Sequence, residues 1–292
     1  MQQTGSTTRF AGSNPPPAGR WIQEFGKATA FIMKDMRIAV SYRLQFAFQF
    51  LQIFFSVAVI YFIGKMLADA GKSSLLEEYR TDYFSFALVG LAINSYLRGG
   101  MEGITNEVRQ TMNQGVLEAL CAPPINYAWL LMCSSLWQFA FETMRVIFYF
   151  LIAMVVFGMR LQGANWIGAI VSLILTASIF LMLGIMSCSI LVLVKRGDPV
   201  YWVFSRATSL LAGIMFPISV FPYWLRLVAF CFPLTHSLEA MRQCLFAGAT
   251  VSQVSRSIWA LVGFLVVLTP LTVLVNNLCM RKAKRSGAFT TH

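Results

Sequence analysis

Four ionisable residues lie inside long apolar runs, where charge is costly. Glu142 and Arg145 are three apart near the middle of one run, and Arg98 and Glu102 are four apart near the end of another. Either spacing puts both members on one helix face. A charge at bilayer depth costs about 2.5–3.5 kcal/mol on insertion scales, so such residues face protein or water. Glu142 with Arg145 therefore reads as a polar patch on a transport path or subunit seam, or as a self-neutralising structural pair. Arg98 with Glu102 reads as a structural pair, because snorkelling to the interface is easy there.

Nucleophilic or metal chemistry finds little support. His236 is the only histidine besides terminal His292, and reads as a hydrogen-bonded structural residue. A six-span intramembrane protease would need a serine in a G-x-S-G setting or an H-E-x-x-H pair, and neither occurs. The six cysteines show no metal spacing. Cys133 and Cys188 read as packing residues, whereas Cys231 and Cys244 are either buried thiols or a pair on an oxidising side. The "GKS" at Gly71–Ser73 lacks the glycine that a phosphate loop needs five residues earlier, where Met66 stands. Nucleotide hydrolysis would have to come from another chain.

The elements that position these residues are membrane helices. The chain is 57% hydrophobic and 12% charged, about half the charge of a soluble domain. Its net charge of +11 could suggest nucleic acid, but the basic residues flank apolar runs, as membrane topology requires. Six spans are expected, near residues 44–66, 83–103, 125–157, 166–194, from about 200, and 258–279. Residues 1–20 are polar and proline-bearing and read as a disordered cytoplasmic tail rather than a signal peptide. Residues 21–42 carry one apolar stripe, Trp21, Phe25, Ala28, Ile32, Met36 and Ala39, opposite a basic face. That pattern favours a helix lying in the interface over one packed on protein. Arg9, Arg20, Lys27, Lys34, Arg37, Arg43, Arg109, Lys195, Arg196, Arg281, Lys282, Lys284 and Arg285 outweigh the basic residues of the opposite loops. Both termini, including the basic tail 281–292, are therefore expected in the cytoplasm of a multi-pass cell (inner or plasma) membrane protein.

The stretch "FPISVFPYWLRLVAFCFPLTH" (216–236) is apolar yet holds Pro217, Pro222 and Pro233. Proline removes a helix hydrogen bond and clashes with the preceding turn. Broken backbone at membrane depth survives only where protein or a water-filled cavity satisfies it. The expectation is a re-entrant hairpin over 216–242. A short helix near 223–232 dips into the outer leaflet and a second returns after Pro233, capped by Thr235. Glu239 and Arg242 would stay near the headgroups. The alternative is one kinked span.

"FPISVFPYWLRLVAFCFPLTHSLEAMR" resembles the signature of ABC-2 type transporter permeases, and "NEVRQTMNQGVLEALCAPP" resembles that family's cytoplasmic segment before the third span. The hairpin looks closer to those of the drug-resistance and nodulation-factor exporters than to those of the O-antigen exporters. The resemblance implies an all-α membrane fold: a six-span permease domain (43–280), an amphipathic N-terminal helix and the extracytoplasmic hairpin as gate, with Pro217, Pro222, Pro233, Thr235, His236, Glu239 and Arg242. It implies that segment 105–124 couples to a separate ATP-binding cassette ATPase subunit through Glu107, Gly115, Leu117, Glu118, Leu120 and Pro123. The chain itself would bind no cofactor or metal; ATP and Mg would sit on the partner. A second permease copy, identical or related, would complete the path through the lipid bilayer. The rival class is a secondary transporter or channel. With 25 Phe and 15 Met, the composition suits drug-like or lipid-linked substrates, and its rings could stack on glycans; the same composition suits plain lipid contact.

Overall fold

A computed structural model describes residues 43–69, 81–113, 127–159, 161, 163–194 and 199–285. The expected tail 1–20, the interface helix 21–42, residues 114–124 of the coupling segment and the end of the basic tail lie outside them. All described regular structure is helical: α1 (Arg43–Asp69), α2 (Tyr83–Arg98), α3 (Ile104–Asn113), α4 (Tyr127–Val155), α5 (Trp166–Val194), α6 (Pro199–Leu211), α7 (Tyr223–Ala229), α8 (Pro233–Phe246) and α9 (Ser255–Arg285).

Four of the described helices are long and apolar enough to cross a membrane: Ala47–Asp69, Gln138–Val155, Trp166–Val194 and Ser255–Cys279. They match the first, third, fourth and sixth expected spans. The expected second and fifth spans fall on α2 and α6, whose 16 and 13 residues leave them outside that group. α9 does not stop at the expected boundary but carries Arg281 and Lys282 on to Arg285.

Two helices form the core. α2 buries twelve of its residues, Phe84–Gly90 among them, although a helix polar on one side would expose half. α5 packs against α9 most extensively, and against α8, α3 and α4. The outer helices offer only narrow buried stripes. In α1, Ile53, Val57 and Ile60 are buried, while Phe48, Phe55, Phe62 and Met66 are exposed. A helix apolar all round but buried along one stripe is suited to lipid on its other faces.

Helical backbone continues from α2 through a π-helical turn, Gly99–Gly103, into α3. This rod is about 45 Å long. α4 crosses the π turn closely. A Cβ on Gly99 would lie 2.2 Å from Cγ of Glu142, and one on Gly103 would lie 3.0 Å from Cδ of Gln138. Further along α2, a Cβ on Gly90 would lie 2.2 Å from the carbonyl oxygen of Ile214.

α8 lies antiparallel along the first half of α5. Its Ser237 hydroxyl bonds that of Thr176. Near its end the Cys244 carbonyl accepts from the backbone N–H of Asn165, just before α5 begins. Asn165 also caps α5, accepting from Gly168 N–H at 3.2 Å, and donates to Ala249 O at 3.0 Å. The ten residue steps from Trp166 to Thr176 span about 15 Å, half of a bilayer core.

The close approach at Gly90 gives a matched test. Gly90→Ala must push the Ile214 backbone and should cost about 1–3 kcal/mol, lowering the thermal midpoint in detergent. Gly263→Ala, on α9 with nothing within 4 Å, should be neutral or stabilising by up to about 1 kcal/mol. Equal midpoints for the two variants would contradict the packing of α2 on the 213–214 segment.

Candidate functional site

After Leu211 the backbone leaves the helix at Gly213, whose φ of +76° favours glycine. A 3-10 turn, Ile218–Val220, follows, and then α7 and α8. The prolines fall where a missing N–H costs nothing. Pro217 and Pro222 precede the 3-10 turn and α7 in extended backbone, and Pro233 is the first residue of α8. The break therefore has the order expected, with α6, at the place of the expected fifth span, ending earlier than Pro217.

Two expectations about this segment are corrected. Thr235 does not cap α8; that place belongs to Phe232, without a side-chain bond. The buried Thr235 hydroxyl instead donates back to Ala229 O at 2.7 Å, tying α8 to the end of α7. Nor does the Arg242 side chain reach outward to headgroups or water. It is 3% exposed. Its Nη1 donates to Gly213 O at 2.9 Å, and its Nη2 to Ile214 O at 3.0 Å and Phe86 O at 3.1 Å. The guanidinium lies 3.4 Å from the centre of the Phe86 ring. The planar fork reaches two carbonyls beyond the end of α6 and the second lone pair of one helical carbonyl on α2. Glu239, half-buried, accepts from Gln243 Nε2 one turn on. His236 is hydrogen-bonded as expected, with Nε2 3.0 Å from Phe230 O and its ring against Phe230 and Phe264.

The second cluster surrounds the π turn. Arg145 Nη1 donates to both carboxylate oxygens of Glu142, at 2.9 and 3.3 Å. Glu142 is buried and Arg145 keeps 21% side-chain exposure, its guanidinium 5.4 Å from the Phe141 ring centre. The Arg98–Glu102 pair is not formed among the described residues. Glu102 accepts from the Tyr201 hydroxyl of α6 at 2.8 Å, while Arg98 lies close enough to Glu142 to act on its charge. Gly99 lets the Glu142 Cγ approach the rod. Tyr96 completes the layer, donating to Thr143 Oγ1 at 2.7 Å. The cluster is neutral when Arg98 and Arg145 face Glu102 and Glu142.

The chain matches the family model described as ABC-2 type transporter over residues 30–246. It belongs to the ABC-2 type transporter family. Among curated proteins no sequence matches it. An ABC-2 permease is the multi-pass membrane component of an ABC transporter, generally not itself catalytic, and works with an ATPase. The match begins before α1 and ends at the last residue of α8, so it takes in both clusters.

In this ABC-2 permease the start of the expected coupling segment is α3. Ile104, Thr105 and Val108 are buried, and Asn106, Arg109 and Gln110 are exposed. The Glu107 side chain and Gly115, Leu117, Glu118, Leu120 and Pro123 lie outside the described residues. Cys231 and Cys244 are free thiols, one exposed and one buried, which corrects the pairing alternative. A Cβ on Gly168 would lie 2.6 Å from the Cys244 sulfur, so this thiol is a close-packed side chain. The sequence reading overlooked Phe86, Gly90, Gly99 and Tyr201. Phe86 and Gly90, four apart, share a helix face, but only the packed structure shows what meets them.

The Glu142 geometry makes the charge cycle asymmetric. Glu142→Gln leaves Arg145 without its carboxylate, and should cost about 2 kcal/mol. That is below the roughly 3–5 kcal/mol of a fully buried pair, because Arg145 is partly exposed. Arg145→Gln should cost less, since Arg98 remains beside Glu142. The double variant should recover part of the Glu142→Gln loss in thermal midpoint. A double variant no better than the worse single one would mean that the two residues are not coupled.

Proposed function

We propose that this permease is the membrane subunit of an ATP-driven ABC exporter. Two copies, identical or related, enclose the substrate path, and separate ATPase subunits bind ATP and Mg below. The chain crosses the cell (inner or plasma) membrane six times, with α2 and α6 as the second and fifth spans and both termini in the cytoplasm. The 105–124 segment docks on the ATPase. Residues 216–242 form an extracytoplasmic re-entrant hairpin that closes the outer end of the path.

The observation that carries this reading is the course of α8. Its Ser237 lies about 15 Å along α5, and it ends beside the start of that helix. A return of α8 to the end from which α5 starts supports a hairpin over a span. The family match supports the ATPase partnership in general. The basic residues of the N-terminal segment and of α9's end support the cytoplasmic assignment. The many exposed phenylalanines and methionines suit drug-like, lipid-linked or glycan substrates, and equally suit lipid.

Glu118 tests the coupling role. Glu118→Lys reverses a charge on the docking segment, and should reduce co-purification of the co-expressed ATPase about tenfold while permease abundance in the membrane is unchanged. The tenfold corresponds to about 1.4 kcal/mol of docking energy. Undiminished ATPase recovery and transport would count against the segment as the docking element.

A further inference from the structure

We infer that Arg242 is a positioning residue for transport: through Phe86 it makes the extracytoplasmic hairpin move with the helical rod that begins at α2 and ends in the ATPase-docking segment. The inference rests on the exporter reading and names the residue contact that its coupling needs.

Three observations support it. First, α2, the π turn and α3 form uninterrupted helical backbone, so one element carries Phe86 near one end and the exposed Arg109 face near the other. Second, Arg242 ties three segments in one contact. It projects from α8, holds Gly213 O and Ile214 O where the hairpin begins, and holds Phe86 O and the Phe86 ring on the rod. The guanidinium thus closes the chain from 213 to 242 upon itself and fastens that closed unit to α2. Third, Gly90 brings the rod's backbone against Ile214 O with no room for a Cβ. Relative sliding of α2 and the hairpin is therefore blocked on one side by backbone and on the other by charged hydrogen bonds. Packed contacts of this kind switch between discrete arrangements rather than deform continuously.

The geometry also says which substitutions disconnect the two. Leucine at position 86 keeps an apolar side chain and the backbone carbonyl but removes the ring face. Lysine at 242 keeps the charge but is a point donor that cannot hold three divergent carbonyls and stack on a ring.

The test uses the full permease co-expressed with its ATPase, cysteine-free except for a cysteine at Ser219, an exposed position in the 3-10 turn. The complex is placed in lipid nanodiscs, and the rate of labelling by a charged maleimide is measured with and without ATP plus vanadate. With Phe86 and Arg242 intact, trapping should change the rate about fivefold or more, the lower end of ordinary allosteric coupling. In Phe86→Leu the ratio should fall toward one, while ATPase recovery and basal hydrolysis stay as before. Arg242→Lys should behave the same way. A variant that merely loosened the fold would raise both labelling rates together and leave their ratio in place. Should Arg242→Lys fail to accumulate, Phe86→Leu alone decides. A ratio preserved in Phe86→Leu, or no nucleotide response at Ser219 with the ATPase bound, overturns the inference. Absence of the ATPase from the intact complex is a different result, and overturns the exporter reading beneath it.

Discussion

Arg242 carries a guanidinium into the interior at 3% exposure and meets three backbone carbonyls and an aromatic face. Removing such a charge from water costs several kcal/mol, which good geometry must offset. Hydrogen bonds to a charged group contribute about 1.5–3 kcal/mol each, and a desolvated cation on a ring about 2 kcal/mol or more. The carbonyls gain as well. Gly213 and Ile214 lie beyond the end of α6, where helix bonding has stopped, and a buried carbonyl without a donor is itself costly. The arginine needs acceptors, and the broken backbone needs donors. Each makes the other tolerable away from water, which is the condition for irregular backbone at membrane depth.

The rest of the fold is arranged so that this contact can form. Gly90 admits the 213–214 backbone to the surface of α2, and the φ of +76° at Gly213 turns the chain there. Thr235 ties α7 to α8, and the Ser237–Thr176 and Cys244–Asn165 bonds lay α8 along α5. At the other end of the seam Tyr201 of α6 meets Glu102 of the π turn. α6 is thus fastened to the α2 rod at both ends by polar contacts, whereas α1 meets it mainly through a stripe of buried aliphatic side chains. The π turn has its own purpose, since two of its glycines let α4 set Glu142 and Gln138 against the rod.

Much of this was legible in the sequence. The long apolar runs located α1, α4, α5 and α9, and three prolines marked the break before α8 with the short helix between. The i,i+3 spacing of Glu142 and Arg145 named a pair that forms. What was not legible depended on partners distant in the chain. Arg242 looked like a headgroup residue because its partners lie 28, 29 and 156 positions away. Arg98 and Glu102 looked like an i,i+4 pair, but Glu102 is taken by Tyr201, 99 positions on. Thr235 looked like a helix cap because threonine prefers that place, yet Pro233 already occupies the first position and Phe232 the cap. Local propensity names a residue's habits, and the tertiary partner decides which habit is used.

The central claim is that residues 216–242 enter and leave by one face, held by Arg242. The direct measurement is side-specific labelling in intact cells, with single cysteines at Ser219 and at Ala249 in a chain whose six native cysteines are replaced. Both positions should react with a membrane-impermeant thiol reagent applied from outside, at comparable rates. Outside labelling at one position, with the other reactive only after the membrane is opened, would place the two on opposite faces and make the segment a span.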